Sequence, residues 1–312
     1  MRYKVIVNPL AGHGFGAKSL PRIKQLLSEQ ALDFDLVTTA WAGEAVELAR
    51  QAVLDGYDTI VAAGGDGTYH EVVNGMMAAA DGRATAGGPP VGDLGLLPVG
   101  SGCDFAWMVG IPGDLESACL KLAGRKTRVI DLGRLTIDDT EVRYFDNSVG
   151  IGFEGVVTVQ ARRFKRLRGL ALYLPAVLHS VFVGLKPAHS LIEYQDDEGQ
   201  THRLELDVLM ADVYNGARGG GAFLIAPQAR LDDAHFDICL LGDISRFKML
   251  RMIPLFLKGT HVQHKDVTML RSRHVVITCA DGLIAHTDGE LIDRQAQRIE
   301  CELLPQCVRV VC

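Results

Sequence analysis

The run Gly64-Gly65-Asp66-Gly67-Thr68 follows an apolar stretch, Thr59 to Ala63, and leads straight into an amphipathic one, Tyr69 to Ala80. An apolar run of strand length, a turn of small residues and a helical period together make a strand–turn–helix unit. Small residues let the backbone turn sharply and approach a bulky anion. A helix that starts there aims its unpaired N–H groups and positive dipole end at the anion. The run therefore reads as a phosphate cradle with one carboxylate, Asp66, inside it. A carboxylate repels phosphate unless a divalent cation or a reacting hydroxyl stands between them, so the pattern points to phosphoryl transfer rather than anion storage.

The same unit recurs along the first part of the chain. Residues 1 to about 132 alternate β-rich runs with helical periods: Lys4–Val7, a helix over Pro21 to Gln30, Phe34–Thr38, a helix over Glu44 to Leu54, Thr59–Ala63, a helix over Tyr69 to Ala80, and Leu94–Pro98. Ser19 and Pro21 serve as start signals for the first helix, and Ile23, Leu26 and Leu27 recur at helical spacing. This predicts a three-layer α/β N-terminal domain with a mainly parallel sheet. After Asp131 the texture becomes period-two, as in Leu204, Leu206, Val208 and Met210 and in Ile299, Cys301 and Leu303. That pattern predicts antiparallel strands with one face buried. The second domain is expected over 133–304, interrupted by helices over Phe164 to Leu185 and Phe247 to Leu257, with the tail 305–312 returning to the first domain. Gly82 to Gly92 reads as a surface loop.

Composition narrows the class. At 312 residues the chain exceeds one ordinary core, and 48% hydrophobic residues leave no room for extensive disorder. A net charge of -6 argues against a general nucleic-acid binder, so no nucleic-acid partner is expected. Seven scattered cysteines without a C-x-x-C pair give neither a disulfide framework nor a zinc site, which fits a reducing cytoplasm. The apolar start, Tyr3 to Val7, is too short for a signal peptide and reads as a buried strand. No apolar stretch reaches the ~20 residues needed to span a bilayer. Leu170 to Leu185 comes nearest, and it contains Pro175 and His179.

Three more small-residue turns end predicted parallel strands. Asn8-Pro9-Leu10-Ala11-Gly12-His13-Gly14-Phe15-Gly16 follows the first strand and lacks the Gly-Lys-Ser/Thr ending of a P-loop. Thr38-Thr39 with Gly43 follows the second, and Val99-Gly100-Ser101-Gly102-Cys103-Asp104 follows the fourth, offering Ser101 as a donor and Asp104 as another carboxylate. Any one of these turns could be purely structural. In open α/β sheets, however, ligands bind along the edge where strands end, and four such turns share that edge.

These residues resemble a family. Asn-Pro-x-Ala-Gly-x-Gly, the Gly64 to Gly75 stretch with Glu71, Val72 and Asn74, and Pro-x-Gly-Ser-Gly-x-Asp-Phe-Ala look like the diacylglycerol kinase catalytic domain family, which includes bacterial lipid kinases, sphingosine kinases and ceramide kinases. The likeness continues in order through Asn147 to Glu154, Gly219 to Gly221, Ala226-Pro227 with Asp232-Asp233, and Asp288-Gly289-Glu290. It implies a phosphofructokinase-like N-terminal domain, a C-terminal antiparallel β-sandwich, and ATP and Mg²⁺ as cofactors. By matching motifs, the resemblance assigns ATP contact to Asn8, Gly12, Thr39, Gly64, Gly65, Asp66, Gly67, Thr68, Tyr69, His70 and Ser101. A structural Mg²⁺ would take the Asp233 carboxylate and the carbonyls of Arg230 and His235, hard oxygen ligands that suit the ion. The sequence departs from the pattern at Cys103, where Asn is usual, and at Ala234, where Gly is usual. Ala234 matters only if that turn requires positive φ.

The resemblance places Asp288-Gly289-Glu290 toward the acceptor hydroxyl. Phosphoryl transfer needs in-line positioning, charge neutralisation and a carboxylate to take the hydroxyl proton, so Asp66, Asp288 and Glu290 are the candidate bases. The acceptor is expected to be the primary hydroxyl of a membrane lipid: a diacylglycerol, phosphatidylglycerol, ceramide or sphingoid base. Arg162-Arg163-Phe164-Lys165-Arg166-Leu167-Arg168 runs into the apolar Leu170 to Leu185, which predicts reversible peripheral contact with the inner face of the membrane. Two other functions share parts of the pattern: an NAD kinase, and a regulatory protein that binds lipid or nucleotide without catalysis. The acceptor's identity and the oligomeric state, a homodimer included, stay open.

Overall fold

The structure is a computed structural model that describes residues 1–80, 90–164, 167, 169–184, 186–292 and 296–312. Most of the Gly82–Gly92 loop, three cations of the basic run (Lys165, Arg166 and Arg168) and Leu185 lie outside the described residues. The chain divides into two compact units, Met1–Leu132 with Leu304–Cys312, and Gly133–Leu303.

The first unit contains β1 (Arg2–Val7), α1 (Ala11–Glu29), β2 (Asp33–Thr38), α2 (Glu44–Leu54), β3 (Thr59–Gly64), α3 (Asp66–Ala79), β4 (Asp93–Pro98), α4 (Asp104–Met108) and α5 (Leu115–Gly124). The strands pair in parallel in the order β4-β3-β1-β2. β3 and β4 are buried at every position, as parallel strands covered on both faces must be, and their apolar sequences supply the burial. Gly75 lets α3 ride on α2, since a Cβ there would lie 2.2 Å from the Val46 carbonyl oxygen. α1 starts earlier than its expected start near Pro21, at Ala11, with left-handed backbone at Gly12, His13 and Gly14 breaking its first turn. Close packing explains the early start. A Cβ at Gly16 would sit 2.1 Å from the Asn8 carbonyl oxygen, so the helix begins pressed against the end of β1 and runs on through Pro21.

The chain passes into the second unit along β5 (Thr127–Ile137). β6 (Glu141–Phe145), β7 (Ser148–Ile151), α6 (Phe153–Ala161), α7 (Leu170–Val183), β8 (Ala188–Gln195), β9 (Thr201–Tyr214), β10 (Phe236–Gly242), α8 (Arg246–Lys258), β11 (Val267–Ser272), β12 (His274–Leu283), β13 (Ala285–Thr287), β14 (Glu290–Leu291) and β15 (Ala296–Val311) follow. The expected helix over Phe164 to Leu185 resolves into α7, with α6 as a separate earlier helix. The pairings here are antiparallel and make a β-sandwich. β9 is the hub. Its first half alternates exposed and half-buried residues beside β8, and from Val208 it is buried throughout beside β7 and β10. Phe145 stacks on Phe236 at 5.4 Å, and Gly133 opposite it in β5 leaves room for the ring, because a Cβ there would stand 2.0 Å from it. The apolar cluster around this pair includes Leu135, Val149, Ile192, Val213, Ile277 and Ile299. Each such buried side chain contributes about 1.5–3 kcal/mol.

β15 ends back in the first unit, where Arg309 and Val310 pair in parallel with Asp93 and Leu94 of β4.

Candidate active site

In the first unit the turns after β3 and β4 interlock backbone to backbone. The N–H groups of Val99 and Gly100 donate to the Gly64 carbonyl at 2.9 and 2.8 Å, and the Asp66 N–H donates to the Gly102 carbonyl at 3.1 Å. A Cβ at Gly65 would meet the Gly102 carbonyl oxygen at 2.5 Å, and one at Gly100 would meet the Gly65 Cα at 2.3 Å. Only glycine permits this contact, which gives the glycine-rich pattern its physical reason.

Asp66 opens α3 and points at the start of α4. Its two carboxylate oxygens accept the N–H groups of Asp104 and Phe105, each at 3.1 Å. The carboxylate is thus fixed in direction by backbone donors at a helix N-terminus. Cys103 stands beside it. Burial, with the neighbouring Asp66 charge as the next cause, pushes its thiol up to about 11, so it stays protonated at neutral pH. Its sulfur lies 3.7 Å from both the Tyr69 hydroxyl and the Gly64 carbonyl oxygen.

The other expected nucleotide residues divide by exposure. Asn8 bridges two turns: its amide donates to Thr68 Oγ1 at 3.1 Å, and its Oδ1 accepts the Leu10 N–H at 3.0 Å. Gly12 takes φ 57° within the α1 break. Thr39 extends the β2 edge, donating its N–H to the Val7 carbonyl at 3.0 Å. Ser101 and Gly67 are half-buried beside the interlocked turns. Thr68, Tyr69 and His70 are buried, and the Tyr69 hydroxyl donates to the Gly64 carbonyl at 3.1 Å, so Tyr69 props the turn from beneath. Glu71, which sequence reasoning used only as a motif match, accepts the N–H groups of Gly43 and Ala45 at 3.0 and 3.3 Å and so caps α2.

In the second unit Asp288 is buried, at φ 49°. Its oxygens accept three successive backbone N–H groups, from Asp146, Asn147 and Ser148, at 3.3, 3.1 and 2.9 Å. This carboxylate locks the turn between β13 and β14 onto the start of β7. Glu290 is exposed. His286, two residues before Asp288, accepts the Gly289 N–H on Nδ1 at 3.3 Å.

In the segment expected to hold a structural Mg²⁺, the side chains of Asp233 and His235 pair within the protein. Asp233 Oδ2 lies 2.6 Å from the Arg271 guanidinium, and Oδ1 accepts the His235 N–H at 3.3 Å. The His235 ring spans from the Asp233 carbonyl, at 2.8 Å, to Asp197, at 2.6 Å, and exposed Arg230 lies 3.5 Å from Asp232. Among the described residues no group of three or more His, Cys, Asp or Glu side chains is gathered to hold a metal ion. In this arrangement the Asp233 carboxylate pairs with the Arg271 guanidinium, with Asp237 3.9 Å from the same group. Ala234 does adopt positive φ, 58°, so the turn requires what its usual glycine supplies.

The architecture is thus an α/β unit with glycine turns along one strand edge and a β-sandwich unit. The model of the diacylglycerol kinase catalytic domain matches residues 2–135, and that of the YegS C-terminal NAD kinase beta sandwich-like domain matches residues 147–312. The diacylglycerol kinase of Bacillus subtilis strain 168 is 30% identical over 292 residues, covering 93% of this chain and 89% of that protein. The diacylglycerol kinase of Mycobacterium tuberculosis H37Rv is 29% identical, covering 91% and 87%. A crystal structure of a diacylglycerol kinase from Bacillus anthracis Sterne superposes with a TM-score of 0.71 at 20% identity, over 99% of this chain and 96% of that one. Yeast NADH kinase complexed with NADH gives 0.51 at 10% identity, over 100% and 83%. The chain belongs to the diacylglycerol kinase family. It is an enzyme of the lipid-kinase class, a phosphotransferase with an alcohol group as acceptor.

Proposed function

We propose that the protein transfers the γ-phosphate of MgATP to the primary hydroxyl of a membrane lipid, with a diacylglycerol first among the acceptors. The observation that carries this reading is the Asp66 carboxylate, held by two backbone N–H groups inside interlocked glycine turns at the strand edge. Those turns present small residues and helix N-termini to the triphosphate, and Mg²⁺ arrives with ATP as part of the substrate. Asp66 then stands where a metal-bound phosphate and an incoming hydroxyl meet. Asp288, fixed by three N–H donors, sets the turn that carries Glu290 in the acceptor region. The names of the relatives favour diacylglycerol over phosphatidylglycerol, ceramide and sphingoid bases.

The test is incubation with γ-labelled ATP, Mg²⁺ and vesicles containing each lipid in turn, with products resolved by mass. Labelled phosphatidic acid is the expected product. Asp66→Asn should lower kcat by about 10²–10⁴-fold, the contribution of a positioned proton-transfer group, while nucleotide binding persists. Transfer to NAD alone would replace this reading with that of an NAD kinase, and no transfer to any acceptor would replace it with that of a binding protein.

A further inference from the structure

The second unit holds a group of buried polar side chains that the proposed chemistry leaves unused. Glu154 on α6, Asp212 and Tyr214 on β9, and His286 on β13 meet beneath the Asp288-Gly289-Glu290 turn. The Tyr214 hydroxyl donates to Glu154 Oε1 at 2.9 Å, and His286 Nε2 lies 3.8 Å from the same oxygen. Asp212 Oδ1 accepts the Ile151 N–H at 2.9 Å. Two glycines clear the space. Gly150 pairs with His286 across β7 and β13, and a Cβ there would stand 2.3 Å from His286 Nε2 and 2.5 Å from Glu154 Oε2. A Cβ at Gly219 would stand 2.4 Å from the Tyr214 hydroxyl.

The charges in this group follow from hydrogen bonding. Glu154 Oε2 and Asp212 Oδ2 are buried and accept no N–H or O–H of the protein. The two carboxyl groups interact with each other, and a single proton between them satisfies both oxygens, whereas two buried anions in contact would repel. Burial first, and the adjoining Glu154 second, hold the Asp212 carboxyl well above the usual carboxylate range. Nδ1 of His286 accepts the Gly289 N–H, which leaves the ring proton for Nε2; Nε2 is buried 3.8 Å from Glu154 Oε1 and makes no hydrogen bond to it.

We infer that His286 is a positioning residue: seated beside the buried Glu154 and Asp212 carboxyl groups, its Nδ1 holds the Gly289 N–H of the acceptor-side turn and so fixes that turn for phosphoryl transfer. The catalytic part of this inference rests on the lipid-kinase reading, while the proton arrangement does not. The other ionisable groups that face the network are Cys239 on β10, and Tyr173 on α7 near Gly289.

The test uses the full chain labelled with ¹⁵N-histidine, with the His286 signal assigned by its loss in H286N. At neutral pH the expected pattern is the tautomer protonated on Nε2. D212N leaves the Glu154 carboxyl beside His286 and should keep that pattern. E154Q replaces the carboxyl beside Nε2 and should shift or broaden it, with thermal melts showing that both variants remain folded. In the lipid-kinase assay H286L should lower kcat at least tenfold with the KM for MgATP unchanged, and H286N, whose amide oxygen can accept the Gly289 N–H, should recover part of the loss. A proton on Nδ1, equal effects of D212N and E154Q, or full kcat in H286L would overturn the inference. A wild-type enzyme that phosphorylates no lipid would instead defeat the kinase reading, and the tautomer would still decide the network.

Discussion

At the scale of single residues, the candidate site residues of each unit include carboxylates that accept backbone N–H groups. Asp66, Glu71 and Asp288 each take two or three, so their directions are set by the fold rather than by flexible side chains. Cys103 illustrates the reverse, a reactive side chain made inert. Its thiol, raised to about 11 by burial, is the weak form below that pH and becomes a thiolate only above it. Iodoacetamide at pH 8 should leave the Cys103 peptide unmodified in the folded protein, with labelling that rises only toward pH 11; rapid labelling at pH 8, read by peptide mass spectrometry, would contradict this. Asp66 was legible in the sequence because glycines surround it. The Glu154, Asp212 and His286 group was not, since its members lie on three distant elements. One signal was available all the same: Asp212 is a lone carboxylate in the apolar run Leu209-Met210-Ala211-Asp212-Val213, and such a residue in a buried strand requires a partner.

At the scale of elements, the glycine turns make specific demands. Gly65→Ala puts a methyl group 2.5 Å from the Gly102 carbonyl oxygen, backbone that cannot rotate away, so it should cost about 1–3 kcal/mol of stability by thermal melting. Ala234→Gly works in the opposite direction. A left-handed alanine carries about 1–2 kcal/mol of strain, and the greater freedom of glycine in the unfolded chain offsets part of the gain, so this variant should be more stable by up to about 1 kcal/mol. A lower melting temperature for Ala234→Gly would refute the strain argument. Strand and helix types through β4 were readable because apolar runs and 3.6-residue periods alternate there, whereas α4 and α5, short helices after it, were not read from the sequence. The start of α1 was not, because close packing of Gly16 on Asn8 outweighed Pro21 as a start signal. α6 was hidden for a similar reason: its opening residues, Phe153 and Glu154, belong to a glycine-rich run that reads as a turn.

At the scale of the whole molecule, a lipid kinase has to reach its substrate in a bilayer. No described helix is long and apolar enough to cross one. α7 offers a different route, with Leu178 41%, Phe182 58% and Val183 53% exposed, and the exposed Arg162 and Arg163 just before it. We propose that this face rests reversibly on the anionic inner surface of the membrane. Phe182→Glu should weaken co-sedimentation with phosphatidylglycerol vesicles about tenfold or more, because burying a phenylalanine ring contributes about 1.5–3 kcal/mol. Equal binding of the variant and the wild type would rule this face out. The two-part architecture was the most legible property of the sequence, since the change from helical to period-two texture reflects what each sheet buries.

The strand that closes the first unit has a consequence for synthesis. Arg309 and Val310 lie along β4, yet a ribosome makes them only after the whole 133–303 segment has emerged. Until then one margin of the first unit exposes unsatisfied peptide groups, a template for a wrong neighbour. The nascent protein must therefore hold its first unit unfinished while the second is being translated, which makes that interval the point at which a chaperone would be needed.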